Sequence, residues 1–190
     1  GLNAPDAMTL SDVVSCPGAE SCRLAVTQSR GLGRVLTEYL SARPEIVDLV
    51  PSGNIRISGC PNGCGQHHIG SLGFQGSVRK VGGKAVPQYF VLVGGGVSDA
   101  GAHFGKVVAK IPARRIAEAV GRLVDLYREQ RTSDSEDLGA FYRRIQPSVA
   151  TDRLRDLAEL NAAETTPDDF IDLGESQAFD PVVMDGECSA

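Results

Sequence analysis

The sequence predicts an α+β fold, a mixed or antiparallel sheet with helices packed against it, in a body spanning residues 1–160. Three observations carry that reading. Two strand-like runs, 73–81 and 85–93, meet through Gly82-Gly83-Lys84, the pattern of a hairpin with a short glycine-containing loop. Apolar residues recur at helical spacing on either side of that hairpin. Strands and helices do not alternate in regular β-α-β units, which points to an α+β domain.

The elements follow in order. Residues 1–15 form an entry segment whose end, Asp12-Val13-Val14-Ser15, reads as a short strand leading into Cys16. A helical pattern runs from behind Cys22 to about Ala42, with Leu32, Val35, Leu36, Tyr39 and Leu40 on one face. Gly31 and Gly33 weaken that helix by roughly 1 kcal/mol each relative to Ala. They either let backbone approach a bulky ligand or break the helix in two. Pro44 and Pro51 bracket a connector, and Asn54-Ile55-Arg56-Ile57-Ser58 alternates as a strand. Residues 67–72 read as one helical turn, and Gly94-Gly95-Gly96 closes the hairpin's second strand. Pro112 stands where a first helical residue belongs. Ile116, Ala119, Val120, Leu123, Val124 and Tyr127 then line a helix to about Arg131. After a polar linker at 132–137 come a short helical run around Phe141, Tyr142 and Ile145, stopped by Pro147, and another carrying Leu154, Leu157 and Ala158. The pattern dissolves from Asn161.

Composition narrows the function classes. Of 190 residues, 42% are hydrophobic and 23% charged, as in an ordinary globular protein with one core and room for an appendage. No apolar run is long enough to span a bilayer and no signal-peptide pattern opens the chain, so no membrane role is expected. The first residues, Gly1-Leu2-Asn3, fit a processed product, an excised piece or the tail of a longer polypeptide. Residues 161–190 carry eight acidic and no basic side chains, which leaves 19 basic against 16 acidic residues, a net +3, for the body. Basic charge is not clustered as nucleic-acid binding requires. The acidic end is expected to be a solvated tail or a strap over the body.

Five cysteines are too few, and odd in number, for an oxidised secreted scaffold, which points to metal ligands in a reducing cytoplasm. Cys16 and Cys22 form C-x5-C; after 37 residues, Cys60 and Cys64 form C-x3-C. Each pair lies in a turn containing glycine and proline, Cys16-Pro17-Gly18-Ala19-Glu20-Ser21-Cys22 and Gly59-Cys60-Pro61-Asn62-Gly63-Cys64-Gly65. Zinc ribbons usually have shorter spacing within a pair, and the ferredoxin run of three closely spaced cysteines is absent. Spacing alone leaves an iron–sulfur cluster, zinc, and disulfides or free thiols open. Four thiolates on two loops match the ligand count of a cubane, whose sulfides take hydrogen bonds from loop N–H groups. Cys22 is expected just before a helix start. Cys188 belongs to the acidic end and is not expected to be a ligand.

The second loop, from Ile57-Ser58-Gly59-Cys60-Pro61-Asn62-Gly63-Cys64-Gly65-Gln66 on to Leu72-Gly73-Phe74-Gln75-Gly76, resembles the sirohaem and 4Fe-4S signature of assimilatory nitrite and sulfite reductases. The first loop has that family's partner spacing, with Thr27, Gln28, Ser29 and Arg30 behind it, and the resemblance covers roughly residues 10–160. It implies the family's 4Fe-4S domain fold. It also implies that Cys16, Cys22, Cys60 and Cys64 hold the cluster, with the Cys64 sulfur shared with the sirohaem iron. The implied activity is six-electron reduction of nitrite to ammonia or sulfite to sulfide. Asn62 falls at a family position near the cofactors, or is simply a turn residue tolerant of unusual backbone angles. Gly94, Gly95 and Gly96 would let backbone amides approach sirohaem carboxylates, or merely end a strand. Arg23, Arg30, Arg79 and Lys80 are candidates to neutralise those carboxylates. His67 and His68 are read as packing or capping the turn behind the cluster rather than as proton donors.

Family enzymes are much longer than this chain and have two related halves; this sequence matches the second. The resemblance therefore implies three partners: the missing N-terminal half, a ferredoxin or flavoprotein electron donor, and a small oxyanion substrate. The segment alone is expected to be inactive and to expose apolar surface where its other half packs. Two rival readings are a stand-alone iron–sulfur electron-transfer module and a domain with structural zinc on four cysteines.

Overall fold

A hairpin of two ten-residue strands, β3 (Leu72–Val81) and β4 (Lys84–Val93), organises the fold in the computed structural model, which describes residues 9–98, 101–161, 163 and 165–181. Gly82 and Gly83 form its turn with φ of 57° and 80°, the positive region that glycine enters without a Cβ penalty. β1 (Val13–Ser15), β2 (Ile55–Ser58) and β7 (Lys106–Pro112) complete a five-stranded sheet in the order β1-β2-β3-β4-β7. β1 and β2 run parallel, as do β2 and β3, while β3–β4 and β4–β7 are antiparallel. The sheet is therefore mixed, as the α+β reading requires. β5 (Gly96–Ser98) and β6 (Gly101–His103) make a separate two-stranded ribbon.

Strand register puts the apolar residues in cross-strand rows. Ile55, Leu72 and Val93 align across three strands, as do Ile57, Phe74 and Val91, and every one of them is at most 3% exposed. Because side chains alternate faces, these rows share one side of the sheet. That side joins a single cluster with Leu32, Leu36 and Leu40 of α1 (Ser29–Ser41), the inward residues of α3 (Ile116–Gln130), Leu138 and Phe141 of α4 (Leu138–Arg144), and Ala150, Leu154 and Leu157 of α5 (Pro147–Ala158). The opposite side carries the turn His67–Ile69: a Cβ on Gly73 would stand 2.1 Å from the His67 carbonyl oxygen.

Several local expectations are corrected. α1 begins at Ser29, so Cys22 is not at a helix start; turns occupy the intervening residues. The helix passes unbroken through Gly31 and Gly33, and the backbone that approaches Gly31 is Leu173, part of the chain itself. Between Pro44 and Pro51 lies a short helix, α2 (Pro44–Leu49), with its proline at the first turn where a missing N–H costs nothing. Pro112 ends β7, and α3 is entered through a 3-10 turn, Ala113–Arg115. Pro147 starts α5 as well as ending α4. Among the described residues no helix is long and apolar enough to cross a membrane. Cys188 lies outside the described residues.

Candidate metal centre

The two cysteine loops leave the same end of the sheet. β1 ends at Ser15 and β2 at Ser58; the strands are parallel neighbours with Ser15 opposite Ile57. Cys16 and Gly59-Cys60 therefore emerge side by side at the carboxyl ends of two strands, and the ladder continues one step further as the Cys16 N–H donates to the Ile57 carbonyl at 3.0 Å. Sequence spacing placed the pairs 37 residues apart; parallel pairing removes that separation.

The loops interlock through backbone. The N–H groups of Val26 and Thr27, which close the first loop, both donate to the Gly59 carbonyl at 2.9 and 3.1 Å. The Gly59 N–H in turn donates to Cys16 Sγ at 3.2 Å. Only glycine fits at 59, since a Cβ there would stand 2.7 Å from the Thr27 carbonyl oxygen. Gly76 of β3 is equally crowded, its Cβ position lying 2.1 Å from Thr27 Oγ1 and 2.4 Å from the Gly59 carbonyl oxygen. The first loop turns at Gly18, φ 63°, whose carbonyl accepts the Cys22 N–H at 2.9 Å. The second turns at Gly63, φ 72°, and at Gln66, φ 56°; the Gly65 N–H donates to Ser58 Oγ at 3.0 Å. Asn62 is exposed, and the unusual backbone angles of its turn fall on Gly63 and Gln66 instead.

Cys16 and Cys60 are buried, Cys22 is partly buried and Cys64 is exposed. Ser29 Oγ lies 3.2 Å from Cys16 Sγ and donates to the Cys16 carbonyl at 2.8 Å. The Cys16 sulfur thus receives one backbone N–H and lies beside a hydroxyl whose hydrogen is given to the Cys16 carbonyl. Among the described residues no group of three or more His, Cys, Asp or Glu side chains is gathered as a ligand set for one metal ion. A single zinc would need its sulfurs about 2.3 Å from the ion. A cubane is bulkier and holds its ligands further apart than a single ion does.

The other sequence candidates are dispersed. Arg30 pairs with Glu20 at 3.5 Å, and Arg79 donates to the Ala158 carbonyl at 3.1 Å. Arg23 and Lys80 are exposed. Gly94 and Gly95 are buried, and Gly95 is pressed onto the turn after the second loop, its Cβ position 2.4 Å from the Gly70 carbonyl oxygen. Arg143 donates to the Gly94 carbonyl at 3.1 Å and stands beside Gly96. His67 is fully buried with Nε2 3.1 Å from Gln75 Oε1, and burial, reinforced by the charge of His68, lowers its pKa to about 4. It is a packed neutral side chain, as the sequence reading holds. His68 stacks near Phe104 at 5.5 Å between ring centroids.

One residue escaped sequence reading. Asp172, in the acidic end, is 2% exposed, and its carboxylate accepts the Gln28 N–H at 2.8 Å. Burial raises its pKa to about 6 against the opposing pull of N–H groups from Gln28 and Leu173. Nothing local marks it in the sequence, because its partner is 144 residues away. Around it residues 165–181 form a strap over the body.

The family described as nitrite and sulphite reductase 4Fe-4S domain matches residues 7–144. The chain is 29% identical over 120 residues to the assimilatory ferredoxin-dependent nitrite reductase of Haloferax mediterranei, a match covering 63% of this chain and 20% of that protein. It is 26% identical over 149 residues to the ferredoxin sulfite reductase 1 of Mycolicibacterium paratuberculosis, covering 76% of this chain and 26% of that protein. The solved structure of the Mycobacterium tuberculosis NirA protein superposes with a TM-score of 0.65 at 27% identity, over 76% of this chain and 26% of that one. Dissimilatory sulfite reductase I shares the fold, with a TM-score of 0.54 at 12% identity over 90% of this chain and 55% of that one. The chain thus spans about a fifth to a quarter of the length of the curated relatives it matches.

Proposed function

The chain belongs to the nitrite and sulphite reductase 4Fe-4S domain family, and from that premise we propose that it is the C-terminal, cofactor-binding half of a nitrite or sulfite reductase. The observation that carries the proposal is the interlocking of the two cysteine loops at the ends of paired parallel strands. In this reading Cys16, Cys22, Cys60 and Cys64 hold a 4Fe-4S cluster. The exposed position of Cys64, against buried Cys16 and Cys60, supports its sulfur as the one that also reaches a sirohaem iron. When bound, the two groups supply the one-electron transfers of a six-electron reduction, nitrite to ammonia or sulfite to sulfide.

The chain's own residues position these groups and tune them. The Gly59 N–H donates to the Cys16 sulfur, and the Ser29 hydroxyl, which donates to the Cys16 carbonyl, fixes the loop that carries it. Asn62 lies at the exposed tip of the second loop, between Cys60 and Cys64. The Gly94 N–H already donates to the Ser71 carbonyl, so of the three glycines it is Gly95 and Gly96 whose backbone macrocycle carboxylates would approach, with Arg143 alongside as the cation. The residues that grip the oxyanion are assigned mainly to the N-terminal half of the longer enzyme. A ferredoxin, or a flavoprotein subunit, is the electron donor in this account, and the compartment is the cytoplasm. Relatives named as ferredoxin-dependent reductases support that donor class.

Cys64→Ser, loaded anaerobically with iron, sulfide and sirohaem beside the parent chain, tests the assignment. The expected result is loss of the haem–cluster coupling seen in the absorption and electron paramagnetic resonance spectra. Unchanged spectra would show that Cys64 does not bridge the two groups.

A further inference from the structure

Residues 165–181 lie beyond the family match at 7–144, yet they are seated against the first cysteine loop. The segment enters through a 3-10 turn, Pro167–Phe170, closed by a capping box between Thr166 and Asp169. It folds back on itself through the Ile171↔Ala178 bridge, with the Phe179 N–H donating to the Phe170 carbonyl at 2.6 Å. Arg114 Nε ties it to the start of α3 by donating to the Asp168 carbonyl at 2.6 Å.

One group of its contacts falls on the N-terminus of α1. The residue before that helix, Gln28, makes no side-chain cap of its own. Asp172 supplies an acceptor instead: Oδ2 takes the Gln28 N–H and Oδ1 takes the Leu173 N–H, both at 2.8 Å. An anionic carboxylate at a helix N-terminus satisfies an orphan donor and complements the helix dipole. Gln28 Nε2 donates to Glu175 Oε1 at 2.6 Å. Leu173 closes on Gly31 so tightly that a Cβ at 31 would stand 2.0 Å from its carbonyl oxygen. Ser29, next after Gln28, is the residue whose hydroxyl holds the Cys16 carbonyl and faces the Cys16 sulfur. A cleft of ≈ 520 Å³ remains between the strap and the loop, lined among others by Cys22, Gln28, Asp172 and Glu175.

We propose that Asp172 is a positioning residue for the 4Fe-4S site: residues 165–181 clamp the start of α1 and, through Gln28 and Ser29, hold the Cys16 loop against the Cys60 loop. The inference rests on the reading of Cys16 as a cluster ligand. Because hydrogen bonds to ligand sulfurs and solvent access both set a cluster's potential, the clamp acts on electron transfer as well as on geometry.

The test uses Gly31→Ala, Asp172→Asn and Asp172→Glu in the full 190-residue chain. Amide hydrogen exchange over residues 16–32 is followed without cluster, and the reduction potential after reconstitution. Ala favours helix over Gly, so Gly31→Ala on an unclamped helix should slow exchange. The clamp predicts the reverse, exchange at least about tenfold faster in Gly31→Ala and Asp172→Asn, partial recovery in Asp172→Glu, and a displaced potential wherever exchange accelerates. Exchange within about twofold of the parent in Gly31→Ala would overturn the clamp, even if Asp172→Asn failed to fold. Accelerated exchange with an unchanged potential would overturn its role at the cluster. Failure of the parent chain to take up iron and sulfide would instead defeat the functional reading, while the exchange result would still decide the clamp.

Discussion

Gly59→Ala should separate the two cysteine loops. The added methyl would stand 2.7 Å from the Thr27 carbonyl oxygen, 3.1 Å from Gly18 Cα and 3.3 Å from Ala25 Cβ. The first two neighbours are backbone and cannot swing aside, so the loops must part. Overpacking of this kind costs about 1–3 kcal/mol. Parting also strains the Val26 and Thr27 N–H bonds to the Gly59 carbonyl, each worth about 0.5–1.5 kcal/mol. The expected loss is therefore about 2–6 kcal/mol, a large share of the roughly 5–15 kcal/mol that holds a typical domain folded. Urea unfolding of the cluster-free chain reads it as a lower midpoint at an unchanged slope. Iron and sulfide uptake should fall in parallel. A loss below about 0.5 kcal/mol with full cluster uptake would refute the claim that the loops are locked at Gly59.

Other expectations follow from the same geometry. Gly82→Ala, at φ 57° with no heavy atom within 4 Å of the new methyl, should cost only the torsional strain of about 1–2 kcal/mol and leave cluster uptake intact. His67 has its pKa lowered from 6.5 to about 4 by burial, so between those values the unfolded chain binds a proton that the folded chain refuses. Its stabilising contribution is complete above pH 6.5 and fades as pH falls toward 4, by about 2 kcal/mol once solvent screening is allowed for; His67→Gln should flatten that limb in urea titrations. Asp172 has the opposite sign. With its pKa raised from 3.8 to about 6, the folded chain holds the extra proton, so stability declines as pH rises through that interval, by at most about 3 kcal/mol. The two slopes oppose each other near pH 5, so each is read by comparing its variant with the parent, and Asp172→Asn should remove the second.

Periodicity made the helices and the hairpin legible. Leu32, Leu36 and Leu40, and the run from Ile116 to Tyr127, are apolar at helical spacing and all are buried. β7 was not legible: Lys106-Val107-Val108-Ala109-Lys110-Ile111-Pro112 alternates weakly, and its pairing partner β4 lies beyond an intervening ribbon. The proline signals at 44 and 147 were ambiguous because each proline stands a few residues after one helix and opens the next. The cysteines announced a site through their turns, but their approach depends on parallel pairing of β1 with β2, a register no local motif encodes. Gly59 and Gly76 stood inside the recognised signature, though the reason for them, carbonyls within 2.4–2.7 Å of any added Cβ, exists only once the loops are packed. Asp172 was hidden for a related cause: in sequence a buried carboxylate differs from an exposed one only in its distant partner.

The most direct test of the central claim is an anaerobic absorption spectrum with iron, acid-labile sulfide and zinc analysis on one sample of the chain and of Cys60→Ser. The account predicts about four irons and four sulfides per parent chain with the broad visible absorption of a cubane, and loss of both in Cys60→Ser. Zinc at about one per chain without sulfide, in protein prepared and reconstituted under anaerobic iron-replete conditions, would contradict it.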